Sequence, residues 1–274
     1  MPLVRQNKKA VIRNSEDVSA WVWLGVRKLT ENSSFASMRE RKLVLEVCSN
    51  GLDSALNAQR AGADRIELCD FLEAGGITPL SDVISIVKER IVIPVHVLIR
   101  PRPGNFIYSK EEFKKMQKEI ETSLKLKVEG IVVGILNHEG DTDIARCAEL
   151  VKMVKPLSLT FHRAFDKVKN PIIALEEIIE LGFDHILTSG QNENCLEGSD
   201  QISQLIKQAD GRISIMPGAG ITEENIGEIV KRTGANEFHF SAKVKLQNGN
   251  YISDLNRIRK IKEIAERTFY QTNA

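Results

Sequence analysis

The sequence holds no run of eighteen apolar residues, so no stretch of it is suited to cross a membrane as a helix. Cysteine is scarce: Cys48, Cys69, Cys147 and Cys195 are the only four, and no two stand in CxxC spacing. That spacing excludes a zinc ribbon and a thioredoxin-type motif. So few cysteines in 274 residues, behind an N-terminus without an apolar signal-peptide core, point to free thiols in a reducing compartment. The net charge is only +1, which removes any whole-chain argument for a nucleic acid or an anionic membrane as partner. A cytoplasmic protein is expected, with the nucleus left open.

What is present is an ordinary globular composition, 42% hydrophobic and 27% charged. The charge is unevenly spread. Residues 1–42 hold nine basic and four acidic residues together with both tryptophans, and read as a basic extension. Asn14 can cap a short helix over residues 14–30, in which Val18, Trp21, Val22 and Leu29 share a face. Residues 43–274 form the main domain.

From residue 43 a rhythm sets in. Segments of strand character, LVLEVC (43–48), RIEL (65–68), PVHVLIR (94–100), GIVVGI (130–135), LSLTFH (157–162), DHILT (184–188), RISIM (212–216) and NEFHFS (236–241), start 22 to 36 residues apart. Stretches of helical period lie between them. One, PIIALEEIIELG, has Asn170 as cap, Pro171 in the first turn and Gly182 past the end. Eight strand–helix pairs predict parallel strands closed into a TIM (β/α)₈ barrel. A doubly wound open sheet is the second choice, but Gly218 and Gly220 lack the full dinucleotide fingerprint.

Alternation along the strands separates the barrel's two faces. One parity is apolar throughout, as in Leu45, Val47, Ile66, Val97, Phe161 and Phe238, and suits contact with an outer ring of helices. The other carries Glu46 and Cys48; Arg65, Glu67 and Cys69; His96 and Arg100; Thr160 and His162; His239 and Ser241. Charges buried in a barrel cost several kcal/mol each unless paired or engaged by a ligand. They cluster toward the C-terminal strand ends, where barrel enzymes keep their sites.

Two chemistries fit these residues. Arg100, Arg102 and Arg163, with Ser189, Gly190, Gly218, Gly220 and Ser241 in the loops after strands 6 to 8, suit a small anionic ligand. With Glu46 or Glu67 as general base and His162 as acid–base partner, the pocket suits an enzyme acting on a phosphorylated or carboxylated metabolite. Glu46, Glu67, His96 and His162 are also the donors for a divalent metal in such an enzyme. A Schiff-base aldolase is disfavoured, since only Lys243 follows any strand end. Alternatively Cys48 and Cys69, on strands 1 and 2, form either a soft site for Cu(I), with His96 or His162 as partner, or a pair of inert core thiols.

The segments LEVC, AQRAGADRIELC, GGITP, IPVHVLIRPR, FIYS, LTFHRAFD, LGFDHILTSGQ, LEG, GRISIMPGAGI and EFHFSA, taken together and in order, closely resemble the CutC copper homeostasis family. The resemblance implies a barrel that is generally oligomeric and handles copper in the cytosol. It assigns the copper ligands to Cys48 and Cys69, and matches Glu46, Glu67, Arg100, Arg102, His162 and Arg163 to the family's polar pocket. Pro103, Leu80 and Ala219 depart from the family's commoner residues. On this resemblance the expected function is copper binding through Cys48 and Cys69, with the metabolite enzyme as alternative.

Overall fold

The computed structural model describes residues 42–272. The expected helix over residues 14–30, and the extension that holds it up to residue 41, lie outside the described residues. Eight strands follow the expected rhythm: β1 (Val44–Ser49), β2 (Arg65–Leu68), β3 (Val95–Leu98), β4 (Gly130–Val133), β5 (Ser158–Phe161), β6 (His185–Thr188), β7 (Ser214–Pro217) and β8 (Glu237–Phe240). They alternate with α1 (Leu52–Arg60), α2 (Ser81–Arg90), α3 (Lys110–Lys125), α4 (Ile144–Val154), α5 (Pro171–Leu181), α6 (Ser199–Ala209), α7 (Ile226–Thr233) and α8 (Leu255–Thr272). Neighbouring strands pair in parallel in the order 7-6-5-4-3-2-1-8. A single parallel bridge, Gly218 to His239, joins the two ends of that order and closes the (β/α)₈ barrel.

Local sequence signals hold where they were strong. Asn170 accepts hydrogen bonds from the N–H groups of Ile172 and Ile173, and Gly182 ends α5 in the left-handed region at φ 91°. Ser109 and Glu112 form a reciprocal capping box at the start of α3. An unforeseen hairpin, β9 (Lys243–Lys245) with β10 (Tyr251–Ser253), intervenes between β8 and α8. Its three-residue strands are too short to show in the sequence as alternating patterns.

The two faces of the strands separate as their parity predicts. Leu45, Val47, Ile66, Val97, Phe161 and Phe238 are buried in the layer between strands and helices. Fully burying such a side chain stabilises the fold by about 1.5–3 kcal/mol. The inward residues Glu46, Arg65, Glu67, His96, Thr160, His162 and His239 are buried as well, so the barrel is filled by polar groups. Register sets who meets whom: Glu46 lies beside Arg65 and His239, and Cys48 beside Glu67.

Candidate metal and ligand site

The interior polar groups divide into an ion-paired network and a set that faces a cavity. In the network, Arg65 donates from Nε to Glu46 Oε2 at 2.5 Å and from Nη2 to Glu237 Oε2 at 2.7 Å. His239 Nδ1 lies 2.7 Å from Glu46 Oε1, and His185 Nδ1 lies 3.2 Å from Glu237 Oε2. Burial resists the charge on Glu46, yet Arg65, His239 and His96 hold its carboxyl well below the usual range. Glu237 likewise overcomes burial through His185 and Arg65 and falls to about 2. Burial also opposes a charged His239, but Glu67 and Glu46, with a hydrogen bond to Cys48, raise its pKa well above the ordinary value. Burial lowers His96 to about 4, with Glu46 offsetting part of the effect. Glu46 is thus committed to Arg65 and His239, and it does not line the cavity.

The cavity, of about 400 Å³, opens at the C-terminal ends of the strands. On its wall Cys48 Sγ lies 3.6 Å from Glu67 Oε1 and 3.4 Å from the Sγ of Cys69, a buried residue that does not line the cavity. Strand pairing brings the two thiols together: β1 and β2 are neighbours, and each sulfur points inward at its strand's end. One ligand atom each from Cys48, Glu67 and His239 lie within 4.8 Å of one another, a grouping able to hold a metal ion. Glu67 Oε2 is buried with no hydrogen-bond partner. Its hydrogen bond with Cys69, followed by burial, pushes the Cys48 thiol well above its ordinary pKa, and burial raises Glu67. All four cysteines are buried and free. Burial pushes Cys147 and Cys195 up to about 12.

Arg100 is held by backbone rather than by a carboxylate. Its Nη1 donates to the carbonyls of Ala74, Gly75 and Gly76, and its Nη2 to that of Gly104. Positive φ at Gly75 and Gly76 turns those carbonyls toward it. Arg100 stacks over Phe106 at 4.9 Å, and the His162 ring meets the same phenyl at 4.9 Å. His162 Nδ1 accepts from the Ala164 N–H at 3.1 Å, so the ring proton sits on Nε2. Burial, reinforced by Arg100, lowers its pKa to about 3.

The remaining expected anion-binding residues are distributed unequally. Arg102 does not line the cavity: it pairs with Glu112 at 2.5 Å and donates to loop carbonyls of Pro103, Asn105 and Ile107. Arg163 lines it while bonded to Asp166 and Ser189. The loop after β6 is already filled from inside. Asp166 accepts from the Ser189 and Gln191 N–H groups and from the Thr188 and Ser189 hydroxyls, and Gly190 donates to Thr188 Oγ1. Gly218 is used in the sheet, donating to the Thr188 carbonyl. Gly220 and Ser241 line the cavity.

Glu46, Glu67, His96 and His162 are not gathered around one point; among the described residues the three-donor grouping is Cys48, Glu67 and His239. His239 was read as inward-facing but given no role. The signal was available, because closing an eight-stranded barrel seats β8 beside β1 and so His239 beside Glu46.

Comparison with known proteins identifies the family. Residues 43–244 match the model of the CutC family. The human copper homeostasis protein cutC homolog is 46% identical over 206 residues, covering 75% of this chain and 76% of that protein. A CutC family protein of Parabacteroides distasonis is 46% identical over 203 residues, 74% of this chain and 84% of its own. The solved structure of the putative copper homeostasis protein CutC from Streptococcus agalactiae superposes with a TM-score of 0.69 at 33% identity, covering 73% of this chain and 98% of that one. The barrel, the paired sulfurs ending its first two strands and these matches converge: the chain belongs to the CutC copper homeostasis family.

Proposed function

We propose that the protein serves copper homeostasis by binding Cu(I) as cargo through Cys48 and Cys69, with His239 and Glu67 completing the donor set. The observation that carries this reading is the position of the Cys48 sulfur, 3.4 Å from that of Cys69 and grouped within 4.8 Å with a Glu67 oxygen and a His239 nitrogen; Cys69 stands outside that three-donor group and joins it through Cys48. Thiolates are soft donors and favour Cu(I), and imidazole suits copper too. With metal–sulfur bonds of about 2.3 Å, as in zinc thiolates, that spacing subtends roughly 95° at the ion. A linear two-sulfur site would need the sulfurs about 4.6 Å apart, so the geometry favours three or four donors. Glu46 occupies Nδ1 of His239, which leaves Nε2 for the ion and orients the ring, a carboxylate–histidine–metal arrangement.

Two sulfurs in contact yet unbonded suit a reducing, cytoplasmic setting. Both thiols must lose their protons to bind metal, so loading releases protons and strengthens as pH rises. The test is a Cu(I) titration of the full chain against a competing chelator. Replacing both cysteines by serine should weaken binding by more than about 100-fold, beyond the 10–100-fold typical of losing an outer-shell partner. Unchanged affinity in Cys48→Ser/Cys69→Ser would remove the sulfurs from the site.

A further inference from the structure

Copper accounts for the sulfurs and leaves the opposite wall of the cavity without an occupant. Besides His239, whose raised pKa favours its charged form and which lies between Glu46 and Glu67, four cations line the cavity: Arg100, Arg163, Lys243 and Arg257. Arg163 is neutralised by Asp166, and Arg257 by Glu223. Arg100 and Lys243 have no carboxylate partner among the described residues; Lys243 only stacks on Tyr251 at 5.0 Å. Glu67, the one carboxylate in the lining, faces His239. One buried donor of the lining also needs an acceptor from outside: His162, 4% exposed, has none for Nε2. Arg100, 6% exposed, is held through both terminal nitrogens by loop carbonyls, and its side chain also meets the buried Tyr108 hydroxyl. Buried polar groups are almost always partnered, so an open donor on a cavity wall points to an acceptor that arrives with a ligand.

We infer that the cavity binds a small phosphorylated metabolite, with its phosphate at the loops after β7 and β8 beside Lys243 and a second oxygen accepting from His162 Nε2 on the Arg100 side. Topology makes these two ends of one ligand. Arg100 follows β3 and Gly220 follows β7, strands that stand opposite one another in an eight-stranded ring. The N–H groups of Gly220 and Ile221 donate to no other group among the described residues, and both residues line the cavity. The loop after β6 cannot serve, because Asp166 already holds its donors. Between the polar ends, Leu72, Leu98, Phe106 and Leu187 offer an apolar wall for a carbon skeleton. The volume of about 400 Å³ falls in the range of small-molecule sites.

The donors select phosphate over carboxylate: a phosphate monoester brings three strong acceptor oxygens, one for each of the Gly220 N–H, the Ile221 N–H and Lys243, whereas a carboxylate brings two. None of the groups used here is a sulfur or a donor of the copper cluster, so this site stands or falls separately from the copper reading.

The experiment is thermal unfolding and calorimetry of the full chain with glycerol 3-phosphate and inorganic phosphate, against glycerate and against sodium chloride at matched ionic strength. Glycerol 3-phosphate should give a one-site saturable isotherm in calorimetry and raise the melting temperature with the logarithm of its concentration, by about 5–10 °C at a hundredfold excess over Kd for a barrel of this size. Lys243→Gln, at an exposed position, should weaken binding about tenfold, while Cys48→Ser/Cys69→Ser should leave it unchanged. Arg100→Gln should weaken binding, but it also frees four carbonyls, so Lys243→Gln carries the decision. No saturable isotherm and no thermal shift at millimolar phosphate ester, an equal shift from glycerate, or unchanged affinity in Lys243→Gln each overturns the inference.

Discussion

Arg65→Met should destabilise the barrel strongly at neutral pH and much less in acid. Arg65 is 8% exposed and serves Glu46 and Glu237 at 2.5 and 2.7 Å; methionine fills similar space without charge. Removing one partner of a buried ion pair costs about 3–5 kcal/mol, because the other charge is left uncompensated. Here two carboxylates lose a partner, but His239 and His185 remain beside them, so about 4 kcal/mol is expected at pH 7.5. In the wild type both carboxyls are held below their unfolded pKa, Glu237 at about 2. Their contribution is present above the unfolded value and is lost only as pH falls through the folded one. Without Arg65, burial dominates and the folded carboxyls take up protons before the unfolded chain does. The penalty therefore shrinks as pH falls toward 4.5, to about 1–2 kcal/mol. Urea unfolding at pH 7.5, 6.0 and 4.5, compared at constant m, measures both numbers. Adding Glu46→Gln and Glu237→Gln should restore at least half of the loss at pH 7.5. A penalty under about 1 kcal/mol at pH 7.5, or one that does not change with pH, would refute the claim that charge rather than packing makes this network.

The buried histidines predict acid sensitivity at milder pH. His96 and His162 stay neutral in the folded state down to about 4 and about 3, while unfolded histidine takes up protons from about 6.5, so stability falls as pH drops from 6.5 toward 4.5. The slope is at most about 2.7 kcal/mol per pH unit, lessened by Glu67, which is raised and protonates first in the folded state; His239, raised, adds its loss above 6.5 instead. His162→Gln should remove about half of that slope in pH-dependent urea unfolding, and an unaltered slope would exclude His162 as its source. Gly134→Ala would set a Cβ 2.5 Å from His162 Nδ1 and 3.0 Å from the Ala164 Cβ. It should cost about 1–3 kcal/mol by overpacking and weaken phosphate-ester binding through displacement of the ring; wild-type affinity in the folded variant would sever that link.

The barrel was legible because its signals are local and periodic. Strand parity located Cys48 and Cys69 on the inner face, and adjacency of β1 and β2 carried them to 3.4 Å. Arg102 illustrates what parity cannot give. Its partner Glu112 lies ten residues on, where it also caps α3 by accepting from the Ser109 N–H, and only the folded loop between them makes the pairing. Asp166 sits in the RAFD segment without a pattern of its own, yet it accepts four hydrogen bonds from the loop after β6. Ser189 and Gly190 read as open anion donors for that reason: a sequence shows donors, but not whether the chain satisfies them itself. Arg100 and His162 line one cavity, while the backbone cradle of Arg100 depends on a loop conformation that residue type does not show.

The single bridge between Gly218 and His239 makes the barrel a hoop with one light clasp. Both halves of that clasp border the cavity: Gly218 leads into the loop that carries Gly220, and His239 is the imidazole of the three-donor grouping with Cys48 and Glu67. Easing the clasp would lengthen the hoop's circumference there and draw His239 away from Cys48 and Glu67, whereas an anion gripped by both loops would tighten it. Two ligands that touch no common atom would then read the same girth, and each would tune the other's hold by the same factor.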